Sequence, residues 1–204
     1  MSRPIRWGIL APGKIAKKFA EAVRALPDGE LVVVGSRAAE RAAEFAAAHG
    51  IPRAYGSYAE LAADPDVQAV YVASPHVGHA DHACLCLEAG KAVLCEKPMS
   101  VNAAGVRRMR DCARANGRFL MEAMWTRFLP VTVGVRRWLA DGAIGEPRAT
   151  IIDFGFRCGW NPASRLLNPE LAGGGLLDVG VYTLGYAAMV FGPAEEALGF
   201  AHLG

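Results

Sequence analysis

The sequence predicts an α/β protein whose first 124 residues form a doubly wound parallel sheet. Short, nearly continuous apolar runs alternate there with helical patterns, and 52% of the 204 residues are apolar. Strands of this kind are buried on both faces, which requires helices on both sides of the sheet. Because the crossovers between parallel strands are right-handed, we expect a doubly wound sheet.

The predicted elements follow one another along this region. The apolar runs predict strands over residues 5–11, 31–34, 67–73, 92–95 and 119–121. Between them, apolar residues recur with a period of about 3.6, which is typical of amphipathic helices. The predicted helices cover residues 15–26, 39–49, 79–89 and 102–116.

The pattern changes after Trp125. A helix is predicted over residues 131–139, an alternating strand over 149–156, an irregular loop over 157–174, an apolar helix over 176–191 and a second strand over 196–203. One or two strands do not make a stable sheet by themselves. We therefore expect residues 125–204 to form an incomplete α+β domain with an open, mainly antiparallel sheet.

Composition and charge argue against several classes of protein. The 22 basic and 20 acidic residues are scattered and give a net charge of +2, which does not favour a nucleic-acid or anionic membrane surface. No apolar run looks long enough for a signal peptide or a membrane span. The five cysteines are too few and too irregular for a disulfide framework. We expect a cytoplasmic protein with neither nucleic-acid nor membrane partners.

A glycine-containing turn joins the first strand to the first helix, and its sequence is GILAPGKIA. Backbone N–H groups of Ala11, Gly13, Lys14 and Ile15 at such a helix start can hold the pyrophosphate of a dinucleotide in a Rossmann fold. Ala11 replaces the first glycine of the usual fingerprint, and Pro12 contributes no N–H. A plain tight turn is therefore the alternative.

The end of the second strand favours NADP over NAD. An NAD site usually carries an acidic residue there for the ribose hydroxyl, whereas this strand ends at Ser36 and Arg37, with Arg41 one helical turn further on. A hydroxyl and guanidinium groups suit a 2′-phosphate. The alternative is that Arg37 is an ordinary surface residue at a helix start.

Four blocks of the sequence resemble the Gfo/Idh/MocA oxidoreductases: WGILAPGKIA, YVASPHVGHADHACLCLEAGKAVLCEKPMSVN, FLMEAMWTRFLP and GGGLLDVGVY. They are most similar to the branch of dimeric dihydrodiol dehydrogenases and NADP-dependent D-xylose dehydrogenases. The resemblance implies a Rossmann domain over residues 1–124 and a partial substrate-binding and dimerisation domain over 125–204. It also implies a homodimer formed through the second sheet, if that sheet is complete. Family members are longer, so we expect the chain to be truncated at its C-terminus.

The resemblance assigns roles around the sequence EKP. Lys97 is expected beside the nicotinamide and the reacting hydroxyl, Glu96 near the cofactor, and Pro98 after a cis peptide bond. The turn that carries Ser74, Pro75, His76 and His79 is expected near the nicotinamide ribose. The alternative is that Glu96 and Lys97 form an ordinary charged loop edge.

Tyr182 and Lys97 are the predicted proton-transfer pair. Oxidising a hydroxyl requires a group that takes its proton, and a nearby ammonium stabilises a phenolate. The resembling branch has tyrosine where many family members have histidine. Asp178 lies four residues earlier, on the same face of a helix, and could orient Lys97 or the substrate. A tyrosine in the core of an apolar helix is the alternative.

Three further residues are predicted substrate contacts. Trp125 and Arg127 follow the last strand, where doubly wound folds bind ligands, and Arg165 lies in a loop that lines the sugar site by resemblance. A role at an interface or in packing between domains is the alternative for each. His76, His79 and His82 are spaced too widely around a helix to form a metal site, so no metal is expected.

Together these features predict an NADP-dependent oxidoreductase that transfers a hydride between the nicotinamide and a hydroxyl of a sugar or dihydrodiol, of the D-xylose or trans-dihydrodiol type. One alternative is the same fold acting on an inositol or an amino sugar. The other is a truncated, non-catalytic form that binds nucleotide.

Overall fold

A single parallel sheet of six strands organises the protein in the computed structural model, which describes residues 3–200. The strands are β1 (Ile5–Leu10), β2 (Gly29–Gly35), β3 (Arg53–Tyr55), β4 (Ala69–Val72), β5 (Ala92–Cys95) and β6 (Leu120–Glu122). Their order in the sheet is β3-β2-β1-β4-β5-β6, and every pairing is parallel. The predicted doubly wound sheet is confirmed. The chain reverses direction across the sheet between β1 and β4, where such folds bind ligands.

Five helices connect these strands: α1 (Lys14–Ala25), α2 (Ala39–His49), α3 (Tyr58–Ala63), α4 (His79–Glu88) and α5 (Ala103–Ala115). Strand β3 and helix α3, which are short, were not predicted from the sequence. Capping side chains start two of the helices. Ser57 Oγ accepts the amide N–H of Glu60 at 3.2 Å at the start of α3, and Asn102 Oδ1 accepts that of Gly105 at 2.9 Å at the start of α5.

The apolar core has one layer on each face of the sheet. Ile9 and Val34 pack with α1 and α2, whereas their neighbours Leu10 and Val33 point to the other face and pack with α3, α4 and α5. All four side chains are fully buried. Successive residues of one strand thus enter opposite layers, which explains why these strands are continuous apolar runs.

The second part of the chain contains helices and irregular segments but no strands in the described residues. It contains α6 (Pro130–Ala140), a π-helical turn (Leu176–Gly180) and α7 (Val181–Phe191). The strands predicted over 149–156 and 196–203 are wrong for residues 149–156 and 196–200, and residues 201–204 lie outside the described range. A strand needs a partner for its backbone N–H and C=O groups, and Ile151 is 100% exposed. The open antiparallel sheet is therefore not formed within residues 3–200.

The expectation that no apolar stretch reaches membrane-spanning length also needs correction. Within the described range, one helical run, Pro169–Phe191, is long and apolar enough to cross a membrane by length and composition alone. The same run contains Asp178, which is paired with two basic side chains.

Candidate active site

A cleft of about 1150 Å³ lies at the carboxyl ends of the central strands. Its walls contain all of the predicted site residues except Arg127: Ala11, Gly13, Lys14, Ile15, Ser36, Arg37, Arg41, Ser74, Pro75, His76, His79, Glu96, Lys97, Trp125, Arg165, Asp178 and Tyr182. Arg127 is exposed, in the short 3₁₀ turn Trp125–Phe128 outside the cleft, so its predicted substrate contact is not supported.

The N-terminus of α1 forms one part of the cleft. The N–H of Ala11 donates to the carbonyl of Gly35, and that of Gly13 donates to the carbonyl of Ala11, both at 2.9 Å. These two groups are therefore not available to a phosphate. Lys14 and Ile15 are the first residues of α1, so their N–H groups have no intrahelical acceptor. Of the four predicted donors, these two remain.

The backbone around this turn leaves space for a ligand. Ala11 has a left-handed conformation with φ of 69°, which turns the chain sharply between β1 and α1. A Cβ added at Gly13 would meet nothing within 4 Å. A phosphate can therefore approach the start of α1, where the helix dipole favours negative charge.

Basic side chains collect at the end of β2. Ser36 is buried, and its Oγ accepts the N–H of Ala38 at 3.3 Å. Arg37 is exposed beside it, and Arg41 Nη2 donates to the carbonyl of Pro12 at 3.4 Å, which holds its guanidinium near the α1 turn. The geometry thus brings a hydroxyl and two guanidinium groups to one corner of the cleft.

His79 links two loops of the site. Its ring is fully buried, with Nδ1 2.8 Å from the carbonyl oxygen of Pro98 and Nε2 2.8 Å from that of Ser74. Burial lowers the pKa of His79, and the two carbonyls act in the opposite direction. A neutral imidazole donates to only one of these carbonyls, but both ring nitrogens face the protein. His79 therefore joins the loops that carry Ser74 and Pro98 rather than bonding to a ligand itself. The Lys97–Pro98 bond is cis, as expected.

His76 has a different environment. It is 7% exposed, and its Nδ1 has no hydrogen-bond partner within the described structure. Burial, together with His79 and Arg165, lowers the pKa of His76 to about 4. A neutral ring with a free nitrogen on the cleft wall can hydrogen-bond to a bound ligand. Among residues 3–200, no group of His, Cys, Asp or Glu side chains could hold a metal ion.

Lys97 and Asp178 form the polar centre of the cleft. Lys97 Nζ donates to the backbone carbonyl of Asp178 at 2.6 Å and lies 3.5 Å from its Oδ1. Arg165 Nη1 donates to the same Oδ1 at 2.9 Å. Burial would raise the pKa of Asp178, but Arg165 and Lys97 outweigh it and hold this pKa below its ordinary value. The carboxylate thus stays charged between two cations.

Tyr182 completes this centre. Lys97 Nζ lies over its ring, 4.6 Å from the centroid. The indole Nε1 of Trp125 donates to the hydroxyl oxygen of Tyr182 at 2.9 Å. The phenol oxygen therefore has a hydrogen-bond donor on one side, and a positive charge lies above its ring.

Two family models match the sequence. The oxidoreductase family with an NAD-binding Rossmann fold, GFO_IDH_MocA, matches residues 5–124, and the GFO/IDH/MocA C-terminal domain matches residues 132–203. The chain belongs to the Gfo/Idh/MocA oxidoreductase family.

Curated relatives in this family share nearly half of the sequence. The trans-1,2-dihydrobenzene-1,2-diol dehydrogenases of Mus musculus and Homo sapiens are 48% and 47% identical to it over 190 residues. These alignments cover 92% of this chain but 56% of the relatives, so the chain spans little more than half of their length.

Solved structures of oxidoreductases share the fold. The aldose-aldose oxidoreductase from Caulobacter crescentus superposes with a TM-score of 0.86 at 30% identity, covering 93% of this chain and 58% of that one. An NAD-binding oxidoreductase from Klebsiella pneumoniae gives a TM-score of 0.80 at 30% identity, with 93% and 54% covered.

Several residues of this Gfo/Idh/MocA cleft were not predicted from the sequence, among them Tyr58, Phe154 and Phe156. Phe154 lies 4.8 Å from the ring of Tyr182. The alternation of residues 149–156 places positions 154 and 156 on one side of an extended chain, a signal that could have identified both. Tyr58 begins the short helix α3, which was itself not predicted.

Proposed function

We propose that this chain carries the catalytic site of an NADP-dependent dehydrogenase that acts on a hydroxyl of a dihydrodiol or a sugar. The observation that carries the proposal is the meeting of Lys97, Asp178 and Tyr182 in the same cleft as the N-terminus of α1. One end of the cleft offers donors to a pyrophosphate and the other offers a proton acceptor.

The residues present fit a dinucleotide. The open approach at Gly13 suits a pyrophosphate, and the buried, unpartnered Nδ1 of His76 suits a ribose hydroxyl. Ser36, Arg37 and Arg41 support NADP rather than NAD, because they can surround a 2′-phosphate. When bound, NADP supplies the hydride acceptor.

Tyr182 and Lys97 divide the proton transfer in this proposal. The substrate hydroxyl lies against the phenol oxygen of Tyr182, which takes its proton as the C–H bond breaks. Trp125 N–H and the Lys97 ammonium stabilise the phenolate that accepts this proton. Asp178 holds Lys97 in position through its carbonyl and is itself held by Arg165.

Aromatic walls favour a substrate with a flat apolar face. Trp125 and Phe154 pack against the ring of Tyr182, and Phe156 also lines the cleft. Such rings suit the cyclohexadiene ring of a dihydrodiol or the apolar face of a pyranose. The names of the relatives support the dihydrodiol as first choice.

Nucleotide binding tests the cofactor assignment. We would titrate the purified chain with NADPH and NADH and follow the nicotinamide fluorescence, with Arg37→Ala in parallel. Loss of a charge-assisted contact to the 2′-phosphate should weaken NADPH binding by roughly 10- to 100-fold and leave NADH binding unchanged. Arg136→Ala, an exposed arginine on α6 outside the cleft, is the control. Equal affinity of the wild type for both nucleotides would refute the preference for NADP.

Turnover tests the chemistry. Trans-1,2-dihydrobenzene-1,2-diol and D-xylose would each be offered with NADP, and NADPH formation would be followed by absorbance. Tyr182→Phe keeps the ring but removes the proton acceptor, so kcat should fall by roughly 10²-fold or more. Nucleotide binding without turnover of either substrate would favour the non-catalytic alternative.

A further inference from the structure

An aromatic column lies behind the cleft, outside its lining. Trp7 packs edge-on against Phe19, with ring centroids 5.3 Å apart. Phe19 in turn stacks on Tyr71 at 4.0 Å with only 13° between the ring planes. Tyr71 is 2% exposed, so its ring has a fixed place and its hydroxyl a fixed direction.

The hydroxyl of Tyr71 is directed at the loop that carries the candidate catalytic lysine. It donates to Oε1 of Glu96, and Oε2 of Glu96 accepts the backbone N–H of Lys97 at 3.1 Å. The carboxylate of Glu96 thus joins a buried phenol on β4 to the main chain of Lys97.

We propose that Tyr71 is a positioning residue for Lys97, acting through the Glu96 carboxylate, a role that rests on the function proposed above. A carboxylate held by one backbone N–H can still rotate. A second bond from a side chain locked in an aromatic stack fixes its plane, and the Lys97 N–H is then fixed with it. The side chain that carries the Lys97 ammonium is consequently attached to a main chain held in a defined position.

The ionisation of Tyr71 agrees with this role. Burial raises the pKa of Tyr71 far above its usual value, and the neighbouring Glu96 carboxylate adds to the effect. Its hydroxyl therefore keeps its proton and remains a donor throughout the pH range in which a dehydrogenase is assayed.

The rate of an enzyme is sensitive to the position of its catalytic groups, since a displacement of about 1 Å can lower the rate by about 10².

Tyr71→Phe removes the hydroxyl and keeps the stacked ring. Tyr55→Phe is a matched control, because the hydroxyl of Tyr55 also donates to a carboxylate, Asp64 Oδ2 at 3.2 Å, but outside the cleft. Amide hydrogen exchange of Lys97, followed by NMR on the labelled chain, reports the link without any need for turnover. Unchanged amide spectra elsewhere establish that both variants are folded.

We expect the Lys97 amide to exchange about tenfold faster in Tyr71→Phe and at the wild-type rate in Tyr55→Phe. We also expect kcat to fall by about 10- to 100-fold in Tyr71→Phe, with the Kd for NADPH unchanged. In a Glu96→Ala background, Tyr71→Phe should have no further effect on kcat, since the carboxylate through which it acts is gone.

Two results would overturn the proposal. One is unchanged Lys97 exchange in Tyr71→Phe, whatever happens to activity; the other is faster exchange with unchanged kcat. Failure of the proposed function looks different, because the wild type would then turn over neither substrate. In that case the exchange of the Lys97 amide alone decides whether Tyr71 holds this loop.

Discussion

Asp178→Asn is the substitution for which the structure gives the sharpest expectation. It keeps the shape of the side chain and removes the negative charge that Lys97 and Arg165 share. At an effective dielectric constant of about 20, unit charges at these separations attract by roughly 5 kcal/mol each. Desolvation of a carboxylate that is only 6% exposed offsets much of this attraction.

The stability that Asp178→Asn loses depends on how far its two partners, Lys97 and Arg165, are exposed to water. Removing one member of a buried pair costs about 3–5 kcal/mol, but the side chain of Arg165 is 53% exposed and partly screened by water. We therefore expect the free energy of unfolding to fall by about 2–3 kcal/mol at neutral pH. Two cations would then face each other, so Lys97 would move and kcat would fall as well.

Urea unfolding followed by circular dichroism measures the difference in free energy of unfolding between wild type and Asp178→Asn. This difference should depend on pH. Because the folded-state pKa of Asp178 is lowered, its contribution is present above the unfolded value of about 3.9 and is lost as pH falls through the folded pKa. The wild type and Asp178→Asn should converge in acid. Asp66→Asn breaks an ion pair whose carboxylate is 51% exposed, so it should cost at most about 1 kcal/mol. This reasoning would be refuted if wild type and Asp178→Asn had the same free energy of unfolding at neutral pH, or if the difference between them did not change with pH.

Three other predictions use the same unfolding assay. Lys91 is only 7% exposed, and its ammonium donates to two backbone carbonyls at 2.6 and 2.9 Å. Lys91→Met removes this ammonium and should lower the free energy of unfolding by about 2 kcal/mol or more. An unchanged urea midpoint would contradict this expectation. Gly35→Ala would bring a Cβ within 3.0 Å of Leu61. This overpacking should lower the free energy of unfolding by about 1–3 kcal/mol, and a variant more stable than the wild type would contradict the expectation. Burial lowers the folded-state pKa of His76 to about 4, whereas the unfolded pKa is about 6.5. As pH falls between these values, the free energy of unfolding of the wild type should decrease by up to about 3 kcal/mol more than that of His76→Asn. A pH-independent difference between those two chains would contradict that assignment.

The sheet was predictable because its strands are buried on both faces. Runs such as β4 and β5 have no polar alternation, and short apolar runs of this kind between helical segments are typical of a parallel sheet covered by helices. The elements that were missed carry a weaker signal. Strand β3 has three residues, of which Arg53 is one, and helix α3 has six. Segments this short contain too few residues for a period to be recognised.

Strand-like alternation proved misleading in the second part of the chain. Residues 149–156 alternate as a strand does, yet they form none in the described structure. Alternation reports which side chains would share a face, whereas a strand also needs a neighbouring backbone. Alternation alone therefore does not decide whether a segment forms a strand.

The site was predictable in its members but not in its contacts. Family resemblance predicted Lys97 and Tyr182, helical spacing predicted Asp178, and the three residues lie in one cleft. The sequence could not reveal that Lys97 binds the main-chain carbonyl of Asp178, a contact over 81 residues that occurs at a π-helical turn. Nor could it show that His79 directs both ring nitrogens at carbonyls of the protein.

The contact between Lys97 and Asp178 also limits what the lysine can offer a substrate. An ammonium has three N–H groups, and Asp178 engages it through both its carbonyl and its carboxylate oxygen. A single N–H is left for an incoming molecule. Lys97 therefore cannot chelate two adjacent hydroxyls of a diol at once. In the function proposed above, the choice of which hydroxyl reaches Tyr182 then depends on the aromatic residues that line the cleft, Trp125, Phe154 and Phe156. Substitutions of these residues should therefore change which hydroxyl is oxidised.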